Sequence, residues 1–452
     1  VIGYNCLLHQ KFPMTKITFS SILWLAIPAM FSGILNNLYR VVDQYMIQRL
    51  GTEAQAAIGS STFVLIALYG LFMLVSAGAG PLCARAFGAQ DQDKIRSVIG
   101  QSLMITFFVG LFYSFILCCG ASIFPRILGL YDQSGHLMST YLFWLGIFGL
   151  SFPFGVTIDA LFVAMGNTKT PLVLQILSTV LNAFLNWLLI FHLQWGIQGA
   201  AVASGVSRCI TSVIGYILLV RQIDPNWNER GLISSILRIG TPSALGTISF
   251  AMVYWGLLRW VVSPLGPEAN AALGIGFSAL ESLSWPMFAG MMVAMSSVIG
   301  QSLGAQKPEL CDKAIRLMMP FTLGLGLCVG SIMVIFSSFL ASHFTGDQLT
   351  FQYVVSYSII IGISQIFVAG EAFFEGVLAG AGATKVLLYA STPLNILRIP
   401  VGFILAHTYD LGIEGVWFTI LFTTTSKCLI KAWIVYRGHW KQVKLEPTGE
   451  RK

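Results

Sequence analysis

Apolar runs of about 20 residues follow one another along this chain, each long enough to cross a hydrocarbon layer of roughly 30 Å as a helix. A backbone in lipid must satisfy its own N–H and C=O groups, so only helices and closed barrels qualify. Barrel strands alternate over about 10 residues with polar lumen faces, and that pattern is not what recurs here. Twelve helical spans can be drawn, at roughly 18–48, 55–84, 97–121, 137–163, 170–192, 198–221, 232–263, 270–301, 312–342, 353–380, 387–407 and 413–436. Composition agrees. Of 452 residues, 56% are hydrophobic and 10% charged, against roughly 25% charged in a soluble domain. The expected fold class is an all-α polytopic membrane protein.

The net charge of +7 does not point to nucleic acid, because lysines and arginines are spread between the apolar runs with no single basic patch. After spans 2, 4, 6, 8 and 10 come Arg85/Lys94/Arg96, Lys169, Arg221/Arg230/Arg238, Lys307/Lys313/Arg316 and Lys385, whereas the alternate connections hold only Arg49, Arg126 and Arg259. A basic excess marks cytoplasmic loops. Both termini are therefore expected in the cytoplasm, in a multi-pass protein of the inner (plasma) membrane. The eight cysteines form no C-x-x-C pair and read as small reduced side chains. No P-loop is present, so ATP does not drive the chain directly. No H-E-x-x-H or His/Cys cluster points to metal catalysis, and no cofactor is expected.

A duplication organises the spans. Pro28 in "LAIPAMFSG" matches Pro242 in "RIGTPSALG", 214 residues on, and "LGTEAQAAIG" from Leu50 matches "LGPEANAALG" from Leu265, 215 on. "FGAQDQDK" from Phe87, "MGNTK" from Met165 and "WGIQGAAVA" from Trp195 each match a segment 216 residues later. Six spans separate the copies, so the halves share one orientation about an axis along the membrane normal. Twelve helices in two six-helix lobes follow: residues 14–220, a polar linker 221–231, and residues 232–437. Residues 1–13 read as a leader outside the fold, with Met14 as a possible start, and 438–452 as a cytoplasmic tail. Two facing lobes suit an alternating-access carrier.

The motifs themselves resemble a known family. "IPAMFSG…VVDQYMIQRLG", "ARAFGAQDQDK", "AMGNTKTPLVLQILSTVLNAFLNWLLIF" and "WGIQGAAVASGVS" are similar to the first lobe of multidrug and toxic compound extrusion (MATE) transporters. "GFSALESLSWPMFAGMMVAMSSVIGQSLGAQ", "FFEGVLAGAGATK" and "LRIPVGFILAHTYDLGIEGVW" are similar to the second. Each is weak alone; the ordered set is specific. The resemblance implies an antiporter that exports amphipathic, chiefly cationic organic compounds in exchange for protons or sodium. It also implies small organic substrates and membrane lipids as partners, with a monomeric chain.

Asp43 is the sharpest site candidate. A carboxylate in a span costs about 2.5–3.5 kcal/mol on insertion scales and usually serves function. Its repeat position falls on Leu257 or Leu258, so the acid belongs to one lobe only. The resemblance places the coupling ion there, with Asn182, Asn186 and Ser204 as its polar companions; such oxygens suit a proton or Na+. Alternatively Asp43 forms a structural ion pair with Arg40, three residues back on the same face, and the asparagines merely bridge helices. Arg40 itself departs from the neutral residue usual in the family.

In the second lobe Glu281, Glu371 and Arg398 lie in or near spans, and a buried Glu281–Arg398 pair is the simplest arrangement. Substrate binding or a second ion site is the other. Glu371 is a cavity candidate whose repeat partner is Gly155, whereas Glu375 pairs with Asp159 in the repeat and reads as scaffold. Arg208 in the sixth span pairs or lines a polar cavity. Tyr39 and Trp255 are aromatic cavity candidates. Pro28 and Pro242 should kink spans 1 and 7, as hinges or as repeat scaffold. Gly326/Gly330 and Gly376/Gly380 have the spacing of close helix seams. Two other functions stay open: a flippase of lipid-linked precursors, kept alive by Arg40, Arg208 and Arg398, and an intramembrane enzyme, for which no catalytic pair is identified.

Overall fold

A computed structural model of the chain describes residues 17–48, 50–130, 132–228 and 231–445. The leader 1–13 and the end of the tail lie outside the described residues. The first half runs through α1 (Phe19–Gln48), α2 (Thr52–Gly88), α3 (Gln92–Gly120), the one-turn α4 (Phe124–Ile127), α5 (Gln133–Ile147), α6 (Ser151–Ala164), α7 (Lys169–Asn186) and α8 (Gly196–Gln222). The second runs through α9 (Gly231–Leu257), α10 (Pro267–Ile275), α11 (Glu281–Gly304), α12 (Pro308–Ile335), α13 (Ser337–Phe344), α14 (Gln348–Gly380), α15 (Thr384–Phe403) and α16 (Gly412–Arg437). No strand occurs among the described residues.

Eleven helices are long and apolar enough to span a membrane, and α5 with α6 makes a twelfth, bent by 55°. The fourth span, expected over 137–163, is thus built from two helices. Pro153 supplies the reason. It removes a helical N–H donor and its ring presses on the preceding turn, next to Gly146 and Gly149. Its repeat equivalent is Ala369, and there α14 runs on unbroken. Pro28 and Pro242 each lie inside a single continuous helix, α1 and α9, so neither breaks its span.

The repeat reaches into backbone geometry. Positive φ recurs at Gly51 and Gly266, Gly166 and Gly382, Gly196 and Gly412, Gln90 and Gln306, and Gln194 and Asp410. These pairs are 215 or 216 residues apart. Only glycine adopts such φ without strain, so the turns that end spans 4 and 10 both use it. The descending ends of α7 and α15 also match, each passing into a π turn, at Trp187–His192 and Ile404–Thr408.

Spans 1 and 7 cross between the lobes. Ile22, Leu25 and Ala26 at the start of α1 pack with Met291, Met295, Phe373 and Val377 of the second lobe, whereas Ile47 packs with Phe72 and Leu142 of the first. α9 does the reverse: Ile236 and Ile239 join the first lobe's core, and Leu257 the second's. Pro28 and Pro242 sit close to these crossings. Apolar contact is no driving force between helices in lipid, so close backbone approach matters instead. A methyl group added at Gly88 would strike the Gln301 carbonyl, and one at Gly304 would strike the Arg85 carbonyl. The two contacts are repeat images of each other. Gly326 and Gly330 face α14, and Gly376 and Gly380 face α11, as seams of the same kind.

Hydrogen bonds close the same end of the bundle. Gln301 Nε2 donates to Ala164 O at 2.9 Å, Ser297 Oγ to Val163 O at 2.7 Å, and Arg85 Nη2 to Ala381 O at 2.9 Å. The tail straps across it. Arg85 Nη1 donates to Val443 O, Arg238 Nη2 to Leu445 O, and Leu445 is buried in the first lobe's core. Phe108, Phe115, Val180 and Phe339 stand out on the exterior. So much exposed apolar surface belongs against lipid.

Candidate functional site

α1 carries Asn36, Tyr39, Arg40 and Asp43 at helical spacing i, i+3, i+4, i+7, so they share one face. That face meets α7 and α8. Asn186 Nδ2 donates to Asp43 Oδ1 at 2.5 Å, and Ser204 Oγ donates to Asp43 Oδ2 at 3.2 Å. Asn186 Nδ2 also reaches Asn182 Oδ1, and Asn182 Nδ2 reaches Ser204 Oγ, both at 3.3 Å. Asp43 and its three expected companions therefore do converge. Asn182, Asn186 and Ser204 are buried. Every donor to the carboxylate is neutral, and the buried Asn186 Oδ1 has no hydrogen-bond partner. A carboxylate surrounded by amide and hydroxyl groups, with a spare acceptor oxygen beside it, is a suitable environment for a proton or a hard cation.

The alternative ion pair between Asp43 and Arg40 is not formed: none of the ion pairs among the described residues joins them. Arg40 is exposed. Tyr39 is buried, its hydroxyl 3.4 Å from Ser207 Oγ, and the Arg208 guanidinium lies 4.8 Å over its ring. Arg208 donates to Asn36 Oδ1 at 2.9 Å and Gln175 Oε1 at 3.1 Å. Asn36 and Gln175 escape sequence reading, since a lone amide in a span looks like any other.

The second lobe is built differently. Glu371 Oε1 sits 3.0 Å from Lys427 Nζ and 2.9 Å from Lys431 Nζ, and Lys431 also holds Glu375 Oε2 at 2.7 Å. Lys431 is fully buried. Glu371 thus fills an ion-pair ladder between α14 and α16 and is not a free cavity acid. Lys427 and Lys431 are the charged residues the sequence reading misses; the available signal is their four-residue spacing, matched by that of Glu371 and Glu375. The expected Glu281–Arg398 pair is also corrected. Glu281 Oε1 accepts from Tyr357 OH at 2.5 Å, while Arg398 donates to Thr423 Oγ1 at 2.9 Å and Thr424 Oγ1 at 3.1 Å. Hydroxyls on α14 and α16 reach these groups first. Trp255 joins neither cluster; it lies on the exposed stripe of α9 with Leu245 and Met252, edge-on to Trp260.

The described cysteines are all free. No group of three or more His, Cys, Asp or Glu placed to hold a metal occurs among the described residues. A separate cavity of about 380 Å³ lies near the end of α3, lined by Cys118, Ser139, Thr140, Trp144 and Gln198 among others, away from Asp43.

Comparison with known proteins agrees with this architecture. The family model MatE matches twice, at residues 28–188 and 242–404, once in each half. The probable multidrug resistance protein NorM of Thermotoga maritima is 27% identical over 441 residues, covering 92% of each chain. The probable multidrug resistance protein YoeA of Bacillus subtilis is 25% identical, covering 91% of this chain and 92% of its own. Among solved structures, a MOP superfamily transporter from Pyrococcus furiosus superposes with a TM-score of 0.89 at 21% identity, covering 95% of this chain and 98% of that one. That likeness shows the fold. With both halves matched and the same twelve-span architecture, the chain belongs to the MatE family of multidrug and toxic compound extrusion transporters.

Proposed function

We propose that this multi-pass membrane transporter is an ion-coupled exporter of amphipathic organic compounds, working by alternating access with Asp43 as the coupling site. MATE transporters are not enzymes, need no cofactor and bind small organic substrates. The observation that supports the reading is the pairing of Asp43 with neutral donors alone. A buried acid fixed by a lysine keeps its charge; one held by amides and a hydroxyl can trade it. As a carboxylate, Asp43 only accepts hydrogen bonds. Once protonated it must also donate, so the Asn186 or Ser204 contact has to rearrange. A sodium ion would instead draw on the Asp43 oxygens and on Asn186 Oδ1 after rotation of its amide. Either event repacks α1 against α7 and α8, and α1 also packs into the other lobe through Ile22 and Leu25.

Ion binding then biases one lobe arrangement over another by its differential affinity for the two. With both termini in the cytoplasm, the closed end of the bundle is the cytoplasmic one, and substrate leaves on the far side. Pro28 and Pro242, near the lobe crossings, serve as bending points. Inward flow of a cation is favoured by about 2.3 kcal/mol per 100 mV of negative-inside potential. The test is efflux from proteoliposomes under separately imposed proton and sodium gradients. The gradient that drives export identifies the ion, and Asp43→Asn should remove that drive. Export that persists undiminished in Asp43→Asn rules the site out.

A further inference from the structure

We propose that Arg40 and Arg208 bind the anionic group of the transported compound, so that the substrates are zwitterionic amphiphiles anchored between these arginines and Asp43. The proposal deepens the reading of Asp43 as coupling site and rests on it.

Arg208 is aimed, but not neutralised. The two groups that orient its guanidinium are the side-chain oxygens of Asn36 and Gln175, both uncharged, and its flat face rests on Tyr39. Asp43 is engaged by Asn186 and Ser204 instead. Asp159 of α6 forms no ion pair with Arg208 among the described residues either.

Arg40 is exposed yet does not face lipid. The exposed apolar residues of α1, Phe31, Leu38, Val41 and Tyr45, mark its outer face. At about 100° per residue, Arg40 points roughly 140° away from the centre of that face and roughly 40° from Asn36. Its exposure therefore opens into the first lobe's interior, beside Arg208. No hydrogen bond or ion pair ties it down among the described residues.

Neither arginine is a scaffold element. Arg40 corresponds in the repeat to Tyr254 or Trp255, and Arg208 to Thr424. The Asp43 and Asp159 carboxylates act on Arg208 only from beyond ion-pair distance. Two guanidinium groups with no ion pair among the described residues are costly inside a membrane span, each by about 2.5–3.5 kcal/mol on insertion scales. Such a pair is held in readiness for an oxyanion, which a guanidinium fork recognises with paired, charge-assisted hydrogen bonds. A carboxylate, sulfonate or phosphonate would fit, with the organic body against Tyr39. The cationic end of the same molecule would rest on Asp43. An incoming proton or sodium ion then competes for one anchor only, which loosens the substrate without any contact at the arginines.

The experiment uses two xanthene dyes of one skeleton in proteoliposomes: zwitterionic rhodamine B and the cationic ester rhodamine 6G. Wild type should export rhodamine B about 10-fold faster, the equivalent of about 1.4 kcal/mol. Arg40→Gln and Arg208→Gln should each bring rhodamine B export down to the rate of rhodamine 6G in the same variant, erasing that preference, and Arg208→Lys should restore part of it. Arg40→Gln removes no contact in the folded protein, so it serves as the variant that keeps the fold. No preference in wild type, export of neither dye or of the cation alone, or a preference that survives both substitutions overturns the proposal. Loss of gradient dependence is read separately with Asp43→Asn. A charge preference with no ion drive would sink the coupling reading and leave the anion site standing.

Discussion

The two lobes are copies of one design, yet they handle their buried carboxylates in opposite ways. In the first, Asp43 is met by Asn186 and Ser204, with Asn182 behind them. In the second, Glu371 is met by two lysines and Glu375 shares one of them. The repeat equivalents make the contrast sharper. Lys427 and Lys431 correspond to Thr211 and Gly215, and Arg398 corresponds to Asn182. The first lobe leaves Asp43 without a cationic partner, whereas the second neutralises Glu371 and Glu375 in place and leaves Glu281 on a tyrosine hydroxyl. A duplicated scaffold can thus assign exchange to one half and rigidity to the other.

That contrast breaks most visibly at Asp43. Asp43→Asn should abolish ion-driven efflux in proteoliposomes, with expression and thermal unfolding close to wild type, because an amide fits the same neutral shell. If unfolding suffers and transport does not, the lobes have been assigned the wrong way round. Lys431→Met should do the reverse. It strips Glu375 of its lysine and leaves Glu371 on Lys427 alone. Breaking a fully buried pair costs about 3–5 kcal/mol, and less where, as at Glu375, water reaches the acid. Detergent-solubilised protein should unfold at a lower temperature, and adding Glu375→Gln should recover part of the loss.

A third measurement concerns the seam where both lobes are alike. Gly304→Val inserts a side chain against the Arg85 carbonyl, an overpacking of about 1–3 kcal/mol borne only by the arrangement closed at that end. Transport should fall, and a cysteine placed at the seam should label faster. Gly88→Val, its repeat image, should match it. Trp255→Ala should change efflux by less than about twofold, since that ring lies on the outer stripe of α9; a larger effect would move the cavity to the second lobe.

The smallest effect separates the starts of spans 4 and 10. Asp347 caps α14, accepting from the Thr350 N–H at 2.8 Å, and that backbone bond holds its carboxyl below the usual range. Asp132 stands before α5 and bonds Ser134 first, which lowers its carboxyl too. A depressed folded value means stability that is present above the ordinary carboxylate pKa and lost as pH falls through the folded one. Asp347→Ala should therefore lower the unfolding temperature slightly at neutral pH, with the difference vanishing in acid. A difference independent of pH would mean the cap does not act through its charge.

Much of this was legible in the chain. The twelve spans, the duplication and the convergence of Asp43 with Asn182, Asn186 and Ser204 could all be read from residue type and spacing. The second lobe was less readable. Glu281 and Arg398 are opposite charges in the same membrane half, but Tyr357, Thr423 and Thr424 lie closer to them, and proximity decides hydrogen bonding. The break in span 4 had a signal in Pro153, yet Pro28 and Pro242 leave their helices continuous, so proline alone does not say where a span parts.

The sequence by itself determined class and symmetry, because lipid tolerates few arrangements of a polar backbone and a 216-residue repeat leaves one way to orient two halves. Only the tertiary structure decided which charges are paid off and which are left open. Helical periodicity gives the face a residue occupies on its own helix, but not the neighbour that face meets. Asp43 and Glu371 look equivalent as lone acids in apolar spans. They differ because α7 and α8 offer one of them amides and a hydroxyl, while α16 offers the other two lysines.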